Sequence, residues 1–133
     1  LANAGLGAVH GFAAPIGGMF PAPHGAVCAA LLPGVMAANV RVLRERAPGS
    51  PALRRYDELA RLLTRRPQAV AADGVSWTGE LCRALQIPPL RAWGLAESDV
   101  AAVVEKAMQA SSMKANPVPL TEAELRQVLA EAL

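Results

Sequence analysis

His10 and His24 are the two imidazole side chains of this 133-residue chain, and they lie fourteen residues apart. Both fall within residues 1–40, a segment without Asp, Glu, Lys or Arg, although the chain carries 13 basic and 11 acidic residues. Neutral imidazole is a common ligand of divalent metal ions. A segment that excludes charge but keeps both imidazoles is either a membrane segment or a buried site.

Prolines argue against the membrane segment. A membrane-spanning helix needs about 20 consecutive apolar residues. Pro15, Pro21, Pro23 and Pro33 interrupt the segment, together with several glycines. We therefore predict no membrane contact and favour a buried site.

Two interpretations of the histidine pair remain open at this point. In one, the histidines are separate core residues that never meet. In the other, a tight turn between two helices brings them together as metal ligands. Even then they supply only half of a site, because structural and catalytic metal ions take three or four protein ligands, and residues 1–40 contain no carboxylate.

The composition predicts an all-α fold. Hydrophobic residues make up 53% of the chain and aromatic residues only 4%, which favours packed helices over a β-sandwich. We predict one domain, 1–133, with five to six helices: a helical hairpin over 1–47 that carries the histidines, and outer helices over 48–133.

Capping residues and apolar stripes place the outer helices. Ser50 before Pro51 is a typical helix start, and Thr121 with Glu124 forms a capping box. The second hairpin helix is predicted from His24 to about Arg46. The later segments are helices over 51–64, 76–86 (with Trp77, Leu81 and Leu85 inward) and 97–110, an extended linker over 111–119, and a last helix after Thr121.

Charge is distributed unevenly along the chain. Residues 41–66 carry eight arginines against three acidic residues, whereas residues 67–133 carry five basic against eight acidic side chains. Arginines on one exposed face of a helix usually form solvated surface. It also supports an alternative function, a free-standing helical interaction module whose Arg-rich surface binds an anionic partner.

The two cysteines favour a reducing compartment. Cys28 and Cys82 have no C-x-x-C spacing and lie in apolar, helical surroundings, so free thiols are expected. The N-terminal residues lack the basic start of a secretory signal. We therefore predict a cytoplasmic protein.

Several motifs together resemble one known family, the iron-containing (group III) alcohol dehydrogenases. The likeness is most specific over residues 1–40 and extends along the whole chain. The matching motifs are G-x-x-H at 7–10, P-H-G at 23–25, A-x-L-L-P-x-V-x-x-x-N at 29–39, I-P-P-L at 87–90, Gly94-Leu95, Asn116-Pro117 and L-T-x-x-x-L at 120–125.

The resemblance implies the helical C-terminal domain of a dehydroquinate synthase-like fold. In that family an N-terminal α/β domain binds NAD or NADP, and an Asp, a His and two later histidines hold a divalent metal. The later two match His10 and His24. The Asp–His pair and the glycine-rich nucleotide segment have no counterpart here, so that the N-terminal nucleotide-binding domain is expected to be missing from this chain.

The resemblance also bears on individual residues. A further histidine, common four residues after the first metal histidine, is replaced here by Ala14, and an asparagine four residues after the second is replaced by Cys28. Ala14 and Ser112 are the positions expected to line the substrate or cofactor pocket. No catalytic residue is assigned in this chain.

The function implied is metal-assisted hydride transfer between NAD(P) and a small alcohol or aldehyde. The metal expected is Fe²⁺, with Zn²⁺ as the alternative. The isolated chain is expected to be inactive, to bind metal weakly and not to bind NAD measurably. Its expected partners are the missing nucleotide-binding domain and further copies of itself, with no nucleic acid and no membrane.

Overall fold

The computed structural model describes residues 6–133, and over that range the chain forms helices and no strand. This confirms the predicted all-α fold. Three short 3₁₀ helices cover Leu90–Trp93, Glu97–Asp99 and Ser111–Ala115. The α-helices are α1 (Ala8–Met19), α2 (His24–Arg46), α3 (Pro51–Thr64), α4 (Ala71–Ala84), α5 (Val100–Gln109) and α6 (Glu122–Glu131).

The main core lies where α1, α2, α5 and α6 pack together. The first and last thirds of the chain thus share one apolar interior, which fixes the two histidine-bearing helices against the C-terminal half. A smaller cluster at the end of α2 joins that helix to α3 and to residue 118. The fully buried large side chains of the main core are Phe12, Ile16, Val27, Leu31, Leu90, Leu95, Val103, Val104, Leu125 and Leu129.

Capping residues predicted the starts of two helices correctly, and the apolar stripe predicted the buried face of a third. The Ser50 hydroxyl accepts a hydrogen bond from the Ala52 amide, and α3 begins at Pro51. Thr121 and Glu124 bond each other's backbone amides at the start of α6. In α5 the buried face is the predicted one: Val100, Val103, Val104 and Ala107.

The prediction for α4 is wrong in both its start and its buried face. The helix begins at Ala71, not Ser76, because carboxylates satisfy its first amides: Asp57 of α3 accepts from Ala71 at 2.8 Å and Asp73 accepts from Val70 at 2.9 Å. Of the residues expected inward, Leu81 and Leu85 are exposed and Trp77 is half-buried. The buried residues are Ala71, Gly74 and Thr78.

Small side chains explain this reversal. A Cβ on Gly74 would lie 3.1 Å from the Ala60 Cβ and 3.2 Å from its Cα. The backbones of α3 and α4 are therefore in close contact at Gly74, and any larger residue there would require Ala60 to move. The buried face of α4 therefore lacks large apolar residues, and a prediction from apolar periodicity does not find it.

The linker expected over 111–119 is only partly extended. Ser111–Ala115 is a 3₁₀ helix, and the extended part follows it. This short helix packs against α1. Met113 lies on it, and a Cβ on Gly11 would be 2.8 Å from the Met113 Cε.

Within the described residues, α2 meets the length and composition expected of a membrane span, with mean hydropathy of 1.8 over an 18-residue window. Half of that window is buried inside the chain. Core helices of soluble proteins pass the same test, so this helix is only weak support for a membrane location. The predicted absence of membrane contact stays a prediction.

The ion pair between α2 and α6 gives a testable pH dependence. Burial alone raises the pKa of the Glu124 carboxyl, but the Thr121 backbone amide and the Arg46 guanidinium more than offset it, so that the pKa lies below its usual value of 4.5. A lowered folded-state pKa means that the ionised carboxylate stabilises the fold above that usual value. This stabilisation is lost as the pH falls through the folded-state pKa.

We therefore expect Glu124→Gln to lower the free energy of unfolding near neutral pH and to have no effect at about pH 2–3. Urea denaturation at several pH values measures the difference. Glu105→Gln, at an exposed glutamate of α5, serves as the control. An equal loss at both ends of the pH range would mean that packing, and not charge, accounts for the effect of the Glu124 substitution.

Candidate metal centre

The chain between α1 and α2 places the two histidines side by side. From His10, α1 advances nine residues to Met19, which is about 13 Å at the rise of an α-helix. Residues 20–23 are not helical, and four extended residues span about the same distance. The chain therefore returns along α1, and α2 begins at His24 next to the first turns of α1.

The two imidazoles face each other closely. Their ring centroids are 5.3 Å apart and the ring planes are inclined by 54°. His10 is half-buried and His24 is exposed. The expectation that the turn brings the rings together is thus met, whereas their role as metal ligands is still a prediction.

A third donor, Cys28, completes the cluster. It lies four residues after His24, one turn along the same face of α2. Its Sγ is 3.5 Å from His24 Nε2, and the donor atoms of His10, His24 and Cys28 all lie within 4.8 Å of one another. From the sequence we predicted Cys28 to be a free thiol at a position where the family commonly has asparagine, and we did not consider it as a ligand, although its spacing from His24 is enough to suggest the contact.

Cys28 is half-buried against the main core and is a free thiol. Burial raises the pKa of this thiol above its ordinary value. The unliganded side chain is therefore the protonated thiol near neutral pH. Cys82 is the second free thiol; its Sγ donates to the Ala29 carbonyl oxygen and lies outside the cluster.

A pair of asparagines holds the start of α1 in place. Asn116 accepts from the Ala8 amide at 3.1 Å, two residues before His10. The side chains of Asn39 and Asn116 also exchange hydrogen bonds of 3.2 and 2.7 Å, and Asn116 donates to the Val118 carbonyl at 2.8 Å. Asn39 is only 2% exposed and also donates to the Tyr56 hydroxyl.

This amide pair was not anticipated. Both asparagines belong to motifs of the family resemblance, but nothing in their separation of 77 residues indicated that they meet. A buried amide on an otherwise apolar helix was the available signal, since such a group requires a partner. The pair links α2 to the segment after α5 and fixes the first turn of α1.

The two expected pocket-lining residues lie on the elements next to the cluster. Ala14 is exposed and follows His10 by one turn of α1. Ser112 is half-buried in the 3₁₀ helix that packs against α1. Their roles toward substrate or cofactor stay predictions.

The Arg-rich segment is partly used within the fold. Arg46 bonds Glu124 and the Pro119 carbonyl, Arg61 donates to the Ala69 carbonyl, and Arg66 lies 3.4 Å from Asp73. These contacts are mostly surface pairs, which contribute little stability. They nevertheless give part of this charge a structural role, which weakens the interaction-module alternative.

The chemistry of the donor set fits a borderline divalent cation. Two imidazoles and a thiol can bind zinc or a similar first-row ion through nitrogen and sulfur. Three ligands from this chain leave at least one position of a tetrahedral site open to another ligand. The described geometry therefore supports a metal centre rather than two unrelated core histidines.

Two curated proteins are similar to most of this chain. The chain is 31% identical over 121 residues to the lactaldehyde reductase of Escherichia coli strain K12, which covers 86% of the chain and 29% of the relative. It is 30% identical over 131 residues to alcohol dehydrogenase 4 of Saccharomyces cerevisiae, covering 98% of the chain and 32% of the relative. The chain thus spans about a third of the length of these relatives.

Solved structures share the fold. An alcohol dehydrogenase from Oenococcus oeni superimposes with a TM-score of 0.83 at 28% identity, over 98% of this chain and 33% of that one. A 1,3-propanediol oxidoreductase superimposes with a TM-score of 0.81 at 26% identity, over 96% of this chain and 33% of that one.

The sequence profile described as "Fe-containing alcohol dehydrogenase family, C-terminal" matches residues 1–133. This match covers every motif of the resemblance, including both histidines. The chain therefore belongs to the iron-containing alcohol dehydrogenase family and corresponds to the C-terminal region of its members.

Proposed function

We propose that this chain is the helical, metal-binding part of a cytoplasmic, NAD(P)-dependent oxidoreductase of small alcohols or aldehydes. The observation that carries the proposal is the approach of the His10 and His24 rings to 5.3 Å across a turn. His10 and His24 would hold a divalent metal there, which would supply Lewis-acid polarisation of a substrate oxygen in a hydride transfer that uses NAD(P).

The chain's own part is to hold the donors in place. Packing of α1 against α2 holds the backbones of the two histidines close together, and the Asn39–Asn116 pair fixes the start of α1 two residues before His10. Residues 1–40 contain no Asp, Glu, Lys or Arg, so this segment adds no charged side chain to the cluster.

The remaining parts of the reaction are proposed to come from outside these 133 residues. An α/β domain would bind NAD or NADP and would supply the Asp–His pair that has no counterpart here. Further copies of the chain are expected as partners, as in a homo-oligomer. We expect the chain alone to bind a divalent ion weakly, to bind NAD(P) not measurably, and to show no reductase activity.

Titration of the 133-residue chain with Co²⁺ tests the metal role. We expect His10→Ala and His24→Ala each to weaken cobalt binding by at least about tenfold, since each removes one direct ligand. Cys82→Ala, which changes a thiol outside the cluster, is expected to bind cobalt as the native chain does. Equal binding by the native chain and the double histidine variant would show that this pair is not a metal site.

The enzymatic role is tested in a longer protein in which an α/β nucleotide-binding domain precedes these residues. We expect such a protein to oxidise NADH or NADPH when it is given small aldehydes, and to lose that activity in the His24→Ala variant. Activity that survives His24→Ala would place the reaction centre elsewhere.

A further inference from the structure

We propose that Cys28 is a third metal ligand, so that this chain supplies a His10–His24–Cys28 site with two nitrogens and one sulfur that favours zinc over iron. The inference rests on the proposed function in one respect, that His10 and His24 hold a divalent ion. It adds a ligand, changes the chemical character of the site and predicts which ion fills it.

The first argument is distance. With metal bonds of about 2.1 Å to nitrogen and about 2.3 Å to sulfur, tetrahedral angles separate a nitrogen and a sulfur ligand by about 3.6 Å. Cys28 Sγ lies 3.5 Å from His24 Nε2. This separation, which in the metal-free chain is a hydrogen-bond contact, matches the nitrogen–sulfur edge of a tetrahedral site.

The His10 ring also lies close to the distance that a tetrahedral site requires. All three donor atoms lie within 4.8 Å of one another, so movements of about 1 Å bring every pair to tetrahedral spacing. His24 is exposed and has room to turn. His10 and Cys28 are half-buried on packed helices, which limits how far they can move apart.

The second argument is the arrangement along the helix. His24 and Cys28 are four residues apart on α2 and therefore share one face. A pair of ligands at this spacing on a helix, with a further ligand from a neighbouring element, is a recurring way to bind zinc. Here α1 provides that further ligand through His10.

The third argument concerns ligand type. Thiolate is a soft ligand that suits zinc, whereas hard oxygen ligands suit other divalent ions. Residues 1–40 offer this thiol and two imidazoles but no carboxylate. On binding, the Cys28 S–H bond is replaced by a sulfur–metal bond, and one proton is released to the solvent for each ion bound.

Cobalt spectroscopy of the native chain and its cysteine variants tests the inference. Under reducing, oxygen-free conditions we expect the Co²⁺ complex of the native chain to show a sulfur-to-cobalt charge-transfer band in the near ultraviolet. Cys28→Ala and Cys28→Ser are expected to lose this band, and Cys82→Ala is expected to keep it. Far-ultraviolet circular dichroism checks that every variant remains helical.

Thiol protection gives an independent measurement. We expect saturating Zn²⁺ to protect Cys28 from iodoacetamide while Cys82 still reacts, as read by mass spectrometry of the two peptides. Zinc should also displace Fe²⁺ from the native chain. In Cys28→Ala we expect zinc affinity to fall by about tenfold or more and the preference over iron to shrink.

The outcomes separate this inference from the proposed function. Cobalt binding that depends on His10 and His24 but shows no charge-transfer band, with Cys28 alkylated equally in the presence of zinc, would overturn the cysteine ligand and leave the histidine site standing. No cobalt binding by the native chain at all would contradict both.

Discussion

Replacing Asn116 by alanine is expected to lower the free energy of unfolding by about 3 kcal/mol. The substitution removes four hydrogen bonds, to the Ala8 amide, to both polar atoms of the Asn39 side chain and to the Val118 carbonyl. Asn39 is only 2% exposed, so water cannot readily replace the lost partner. A buried polar group left without a partner costs about 1–3 kcal/mol by itself.

The same substitution is expected to weaken metal binding. Asn116 fixes the Ala8 amide, and His10 follows two residues later on the first turns of α1. Without this contact the helix start is free to fray, and the His10 ring must then be ordered when the ion binds. We expect cobalt affinity to fall by about tenfold, within the range for lost supporting contacts around a metal site.

Two further variants separate the effect of the hydrogen bonds of Asn116 from that of any substitution in this segment. Asn116→Asp keeps the shape and both acceptor contacts but loses the donors to Asn39 and Val118, so it is expected to be destabilising as well. Lys114→Ala, at an exposed position of the 3₁₀ helix that precedes Asn116, should change stability by less than about 0.5 kcal/mol. Urea denaturation and cobalt titration measure both effects. A loss of stability with unchanged metal affinity would disprove the link between the amide pair and His10.

The helices that the sequence predicted well are those whose ends are set locally. Ser50 before Pro51, and Thr121 with Glu124, are bonded to amides two or three residues away, and these contacts depend on nothing else in the fold. The start of α4 was missed because Asp57, on another helix, accepts its first amide. The local signal within residues 66–76 was Asp73, which accepts from the Val70 amide and which the sequence prediction did not use.

The candidate site shows the same distinction between features set locally along the chain and features set by the packed fold. The approach of His10 to His24 was one of two open alternatives in the sequence, because the short turn between their helices, a local property, allows the approach but does not require it. The Cys28 contact follows from helical spacing, but its importance depends on where the α1 histidine lies. The Asn39–Asn116 pair joins residues 77 positions apart, and only the packed fold brings them together.

The close contact between α3 and α4 gives the second large expected effect. Gly74→Leu is expected to destabilise the chain by about 3 kcal/mol, the upper part of the usual range for overpacking. A Cβ at this position would lie 3.2 Å from the backbone Cα of Ala60. Because backbone, unlike the end of a flexible side chain, cannot move aside, the two helices must separate to admit the new side chain.

Gly79 on the same helix provides the matched control. A Cβ there would meet nothing within 4 Å, so Gly79→Leu is expected to be neutral or to stabilise α4 by up to about 1 kcal/mol through helix propensity. Thermal and urea denaturation of both variants measure the difference. The apolar bulk added is identical, so an equal effect at both positions would mean that the Gly74–Ala60 contact does not set the spacing of α3 and α4. His10 and His24 lie on other helices, and we expect cobalt affinity to stay unchanged in both variants while they are folded.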